Sequence, residues 1–197
     1  MLSDLPNVLT LSRIAAIPLL VALAALRTPA GDMAACIVFS LAGITDYFDG
    51  KIARGRAQTS DIGRMLDPIA DKLLVGATLM ALAGLGRLSN WGLYPAIVIL
   101  LREILVSGLR EYLAGLRIGL PVTELAKWKT GFQMGALGTL LAGDETGAIL
   151  HLSFLPVQDI GEAMLWVAAG LTLWTGWDYL HAGLRHASTP AGVGRQP

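Results

Sequence analysis

Between Asp46 and Asp71 the chain reads D-Y-F-D-G-K-I-A-R-G-R-A-Q-T-S-D-I-G-R-M-L-D-P-I-A-D, with five carboxylates and four basic residues. Asp46 and Asp49 are three positions apart, and Gly63, Asp67 and Asp71 follow one another at intervals of four. On a helix, spacings of three and four stack side chains on one face. The stretch therefore predicts two helices joined by the short polar turn Gly55 to Ile62. Helices meeting there gather Asp46, Asp49, Asp67 and Asp71 in one place. Four unpaired carboxylates repel one another, so the cluster implies bound cations. Hard oxygen ligands select Mg²⁺ or Mn²⁺, bridging to substrate phosphates.

The surroundings of this stretch are apolar. Of 197 residues, 54% are hydrophobic and 15% charged, and the mean hydropathy is +0.58. A soluble domain carries about a quarter charged residues; the deficit indicates an integral membrane protein. Apolar segments fall near 8–27, 33–53, 65–86, 92–114, 128–142 and 160–183. Each is close to the roughly 20 residues that span a bilayer, the fifth being short. The expected fold is an all-α, polytopic bundle of six transmembrane helices. One membrane domain covers residues 1–186, and 187–197 form a disordered C-terminal tail. Breaks are expected at Thr28 to Asp32, Gly84 to Asn90, Gly115 to Thr123 and Gly143 to Gln158.

Composition also excludes classes. The formal net charge is zero, so nothing argues for a nucleic-acid partner, and one cysteine, Cys36, rules out a disulfide framework. Cys36 reads as a small buried hydrophobe. The start M-L-S-D-L-P-N lacks the basic residues of a secretory signal, so the first apolar run is expected to be retained. With six spans, thirteen basic residues lie on the side of the termini and two, Arg27 and Arg87, on the other. That bias places both termini and the aspartate cluster in the cytoplasm. Trp91, Tyr94, Trp128, Trp177 and Tyr179 suit interfacial belts. His151, His181 and His186 show no ligand spacing, and there is no Ser-His-Asp order, zinc motif or P-loop.

The same stretch reads D-x2-D-G-x2-A-R-x8-G-x3-D-x3-D and so resembles the signature of the CDP-alcohol phosphatidyltransferase family. Every fixed position is present: Asp46, Asp49, Gly50, Ala53, Arg54, Gly63, Asp67 and Asp71. The opening Asn7-x-x-Thr10-x-x-Arg13 resembles the family as well. Two further passages, Arg102 to Tyr112 and Lys127 to Thr130 with Gln133, resemble its phosphatidylglycerophosphate-forming branch. The resemblance implies a homodimer in a bacterial cytoplasmic membrane, with each active site inside one protomer. The implied reaction transfers a phosphatidyl group from CDP-diacylglycerol to sn-glycerol 3-phosphate, giving phosphatidylglycerophosphate and CMP. Two Mg²⁺ or Mn²⁺ ions are implied at Asp46, Asp49, Asp67 and Asp71, with Asp71 as general base. Asn7, Thr10, Asp49, Gly50, Arg54 and Ser60 are implied at the CDP moiety. Arg110, Lys127 and Lys129 are the expected partners of the acceptor phosphate.

Plainer roles stand beside these. Gly50 and Ala53 suit close helix packing. Ser60 and Asp61 suit the cap of the third helix, and Pro68 marks a kink or a helix start. Lys72 can pair with Asp71. Glu103, Ser107, Arg110 and Glu111 share one polar helix face directed into the bundle. Serine, an inositol phosphate or phosphatidylglycerol are alternative acceptors within the family. From another class, an ion-coupled transporter also uses intramembrane carboxylates, but needs no such signature and releases no CMP. The orientation is checked by cysteine labelling. In a Cys36→Ser background, Gln58→Cys and Pro190→Cys should resist an impermeant maleimide applied to intact cells. Efficient labelling from outside would reverse the orientation.

Overall fold

The computed structural model describes residues 5–56, 61–115, 124–149 and 154–187, with the side chains of 5–7, 46–56, 61–65, 147, 148, 178 and 182–187 outside that description. The described residues form helices and no strand: α1 (Leu5–Ala25), α2 (Pro29–Arg56), α3 (Asp61–Gly84), α4 (Leu93–Gly115), α5 (Glu124–Ile149) and α6 (Val157–Ala187). The expected all-α class is what is found. Of the expected tail, 187–197, the first residue, Ala187, is the last of α6, and the rest lies outside the described residues.

Local chemistry sets the boundaries. α2 begins earlier than its apolar run, because Thr28 and Pro29 start it. The Thr28 hydroxyl accepts from the Gly31 amide at 3.1 Å, and proline at the first helical position lacks only an N–H that would have no helical partner. Gly31 is required there: a Cβ would lie 2.7 Å from the Leu23 carbonyl oxygen of α1. α3 runs through Pro68 and ends in a Schellman motif. Gly86 has φ 71°, its amide bonds the Ala83 carbonyl at 3.1 Å, and the Arg87 amide bonds the Leu82 carbonyl at 2.8 Å. The expected break at Gly143 is present: its backbone is non-helical (φ 67°, ψ 173°), and a second helical stretch follows it through Ile149, so α5 extends beyond the short fifth segment.

The helices pack in a closed ring, α3–α1–α2–α5–α6–α4 and back to α3, with α3 also touching α5 across the middle. The core inside it comprises Leu20 of α1, Phe39 of α2, Leu74 and Leu82 of α3, Ile99 of α4, Leu137, Leu140 and Leu141 of α5, and Leu165 of α6. Small residues let the helices close. A Cβ on Gly161 would meet Leu140 Cγ at 2.8 Å, so α5 and α6 approach through a missing side chain. The outward faces stay apolar, with Leu93, Ile97, Leu101, Ile104 and Leu105 exposed on α4 and Trp166, Leu173, Trp174 and Trp177 on α6. Among the described residues one segment, Val8–Ala25, is by itself long and apolar enough to cross a membrane. Tyr179 departs from the expected belt: it is buried, with the Arg102 guanidinium 5.8 Å from its ring centroid.

Where α2, α5 and α6 meet the α3–α4 connection, Arg87 ties them together. It forms an ion pair with Asp32 and donates to the Leu141 carbonyl at 3.1 Å, while its own carbonyl accepts from the Gln158 amide group. Beside it, Glu162 accepts from both the amide and the hydroxyl of Ser89 at 2.6 Å. Asp32 is 7% exposed and Arg87 15%, so removing either leaves a nearly buried charge unpaired. Arg87→Met should cost about 3 kcal/mol and lower the thermal midpoint in detergent by roughly 5–10 °C. An unchanged midpoint would show that the pair contributes nothing.

Candidate active site

The polar ends of α1, α3, α4, α5 and α6 converge away from Arg87. On α3, Asp67 and Asp71 lie one turn apart on one face. The Thr10 hydroxyl of α1 donates to Asp67 Oδ1 at 2.5 Å. Thr10 and Arg13, one turn further along α1, are each 1% exposed. The N-x-x-T-x-x-R opening thus lays its threonine against the aspartate helix, and Thr10 is placed as an orienting donor to Asp67.

Lys72 Nζ lies 3.0 Å from Asp71 Oδ2 and 2.5 Å from Glu103 Oε2 of α4. The other oxygen of Glu103 receives Lys129 of α5 and, at 3.4 Å, Arg102 Nη1. Arg102 in turn donates to the Thr175 hydroxyl of α6 at 2.9 Å. One carboxylate therefore joins α3, α4 and α5, and reaches α6 through Arg102. Glu103 is 3% exposed and Lys129 6%. Charges so buried persist only when paired and hydrogen-bonded.

Next to this cluster is a cavity of about 380 Å³ lined by Asp71 and Lys72 of α3 and by Arg102, Glu103, Ser107, Arg110 and Glu111 of α4. On α4 the spacings Glu103–Ser107–Arg110 and Ser107–Glu111 form one stripe, the polar face read from the sequence. Arg110 and Glu111 are exposed at its outer end. Of the residues expected at the acceptor phosphate, the fold puts Arg110 in the cavity wall and Lys129 behind it, against Glu103. Lys127 points elsewhere: it pairs with Glu124 at 2.7 Å and borders a separate, largely apolar depression with Trp128, Phe132 and Met164.

The residues expected around the nucleotide are only partly covered. Asn7 lies in the first turn of α1, and Asp46, Asp49, Gly50 and Arg54 lie in α2; their side chains are outside the described residues, and Ser60 is outside them altogether. The donors that are described suit a divalent cation. Asp67 and Asp71 offer hard carboxylate oxygens, and on each the oxygen not named above has no hydrogen-bond partner among the described residues. Lys72, Arg102 and Glu103 form a unit that sequence reading did not assemble. Its one sequence signal is a glutamate deep in an apolar helix.

Comparison with known proteins agrees with this geometry. The profile of the CDP-alcohol phosphatidyltransferase family matches residues 3–174. A CDP-diacylglycerol–glycerol-3-phosphate 3-phosphatidyltransferase of Rickettsia bellii is 45% identical over 179 residues, 91% of this chain and 94% of its own. The protein of the same name from Rickettsia typhi is 42% identical over 181 residues, 92% of this chain and 97% of its own. A cardiolipin synthase (CMP-forming) of Oryza sativa subsp. japonica is 40% identical over 189 residues, 88% of this chain and 55% of its own. A profile that matches from the first helix into the last, and relatives this similar along nearly the whole chain, establish that the protein belongs to the CDP-alcohol phosphatidyltransferase family.

Proposed function

We propose that the protein is a phosphatidyltransferase that moves the phosphatidyl group of CDP-diacylglycerol to sn-glycerol 3-phosphate, giving phosphatidylglycerophosphate and CMP. The observation that carries this reading is the cavity itself. It sets the carboxylate of Asp71 beside Lys72, Arg102 and Arg110, so a proton acceptor faces groups that bind phosphate. The names of the Rickettsia relatives support the same donor and acceptor.

Within this reading, Asp46, Asp49, Asp67 and Asp71 would hold two divalent ions, Mg²⁺ or Mn²⁺. When bound, such ions neutralise charge on the pyrophosphate and on departing CMP. Asp71 accepts the proton of the attacking glycerol hydroxyl. A new phosphorus–oxygen bond forms to the acceptor, and the bond to CMP breaks with its electron pair leaving on CMP. Thr10 fixes the rotamer of Asp67 through its hydroxyl. Asn7, Thr10, Asp49, Gly50, Arg54 and Ser60 bind the CDP moiety. Arg110 and Lys129 attract the acceptor phosphate; Lys127, on the other side of α5 and paired with Glu124, is not assigned to it.

The chain is proposed to cross the membrane six times, as a homodimer, with both termini and the site in the cytoplasm. Two observations support this. Large apolar side chains cover the outward faces of α4 and α6, and the charged groups sit where alternating helices bring their ends together. α1, α3 and α5 contribute N-terminal halves there, α6 its C-terminal half, and α4 the stretch from its middle, at Arg102 and Glu103, to its C-terminal end.

Phosphatidylglycerol is the second acceptor to weigh, because the rice relative carries the cardiolipin synthase name. Purified protein supplied with CDP-diacylglycerol and equal amounts of glycerol 3-phosphate, phosphatidylglycerol, serine and inositol phosphate decides between them. The expected lipid is phosphatidylglycerophosphate, with CMP released in equal amount. Cardiolipin as the main product would transfer the assignment to phosphatidylglycerol, and no CMP with any acceptor would end the transferase reading.

A further inference from the structure

Glu103 touches more charge than any other described side chain, and the family signature does not include it. It sits midway along α4, 3% exposed, and receives Lys72 from α3, Lys129 from α5 and Arg102 from its own helix. Among the described residues, Glu103 is the one carboxylate within ion-pair distance of Lys129. Lys72 has two carboxylates, Asp71 at 3.0 Å and Glu103 at 2.5 Å, and the shorter contact is to Glu103.

We propose that Glu103 is a positioning residue for the acceptor: it holds the Lys129 ammonium behind the cavity and shares Lys72 with Asp71, anchoring that lysine at the cavity wall. The proposal rests on the phosphatidyltransferase reading above. Its physical basis is the cost of unpaired charge. Without the Glu103 carboxylate, Lys129 is a buried ammonium beside Arg102 with no opposing charge, and such a group moves or loses its proton. Positive charge facing an incoming phosphate is lost either way. Lys72, freed from Glu103, keeps a single carboxylate partner in Asp71. The lysine is then no longer anchored to α4 at the cavity wall. Glu103 touches neither substrate in this scheme and acts through the two lysines.

A purely structural role for Glu103 makes a different prediction. A loosened bundle lowers the amount of active enzyme and leaves both KM values where they were. The test is therefore a KM split on full-length protein in nanodiscs. In Glu103→Gln, the KM for glycerol 3-phosphate should rise at least about tenfold, as when one partner of a buried charge pair is removed. kcat should fall about tenfold, while the KM for CDP-diacylglycerol stays within about twofold. Glu103→Asp, which keeps the charge, should recover part of both losses.

The double variant Glu103→Gln with Lys129→Met removes the buried pair together and leaves no lone charge between α4 and α5. It guards against failure of the single variant to fold, and should show the same rise in acceptor KM. An acceptor KM at the wild-type value in either variant would overturn the proposal. If the wild-type protein releases CMP only with another acceptor, the reading of its substrate fails. The same KM split, measured with that acceptor, still decides the role of Glu103.

Discussion

A charge inside an apolar bundle must find its opposite, because no water replaces the partner it lacks. That requirement organises this molecule more than any single packing contact. Apart from Arg13 on α1, the buried charges among the described residues fall into two groups. In one, Arg87 meets Asp32 and ties the α3–α4 connection to α2 and α5. In the other, Glu103 gathers Lys72, Arg102 and Lys129 and joins α3, α4 and α5. Beside them packs a core of leucine, isoleucine, valine, phenylalanine and alanine, which Arg87 touches at the Leu141 carbonyl.

The two groups have different consequences. The Arg87 group is closed: its cation is satisfied by a carboxylate and a backbone carbonyl, and its neighbours cap helices. The Glu103 group opens onto a cavity in which Asp71, Lys72, Arg102 and Arg110 remain accessible. Polar groups that are fully satisfied by one another fix structure, whereas polar groups that line a cavity are available to a ligand. The site therefore sits at the end of the bundle where the aspartate-bearing helix α3 meets α4. Thr10 extends it to α1 by its bond to Asp67.

Much of this was legible in the chain. Spacings of three and four around Asp46 to Asp71 put aspartates on helices, and the apolar segments matched the helices in number and order. What the sequence did not show depended on contacts between distant residues. The break at Gly143 was legible as a glycine, but the second helical stretch that follows it to Ile149 was not. Tyr179 was read as an interfacial ring, yet Arg102 from another helix covers it. Lys127 and Lys129 look equivalent in sequence. Two positions on a helix differ by about 200°, so one meets Glu103 and the other Glu124. Glu103 was visible as part of a polar face, but its role as a shared partner needs α3 and α5 beside it.

In the proposed reaction, aspartates from α2 and α3 act together as one divalent-cation site. Titration of purified protein in nanodiscs with Mn²⁺, in the presence of CDP-diacylglycerol and followed by electron paramagnetic resonance, tests it most directly. The account predicts saturable binding approaching about two ions per chain. It also predicts loss of that binding in Asp46→Asn with Asp67→Asn, one substitution on each helix. Wild-type protein that binds no Mn²⁺, or a double variant that binds it as wild type does, would contradict the account.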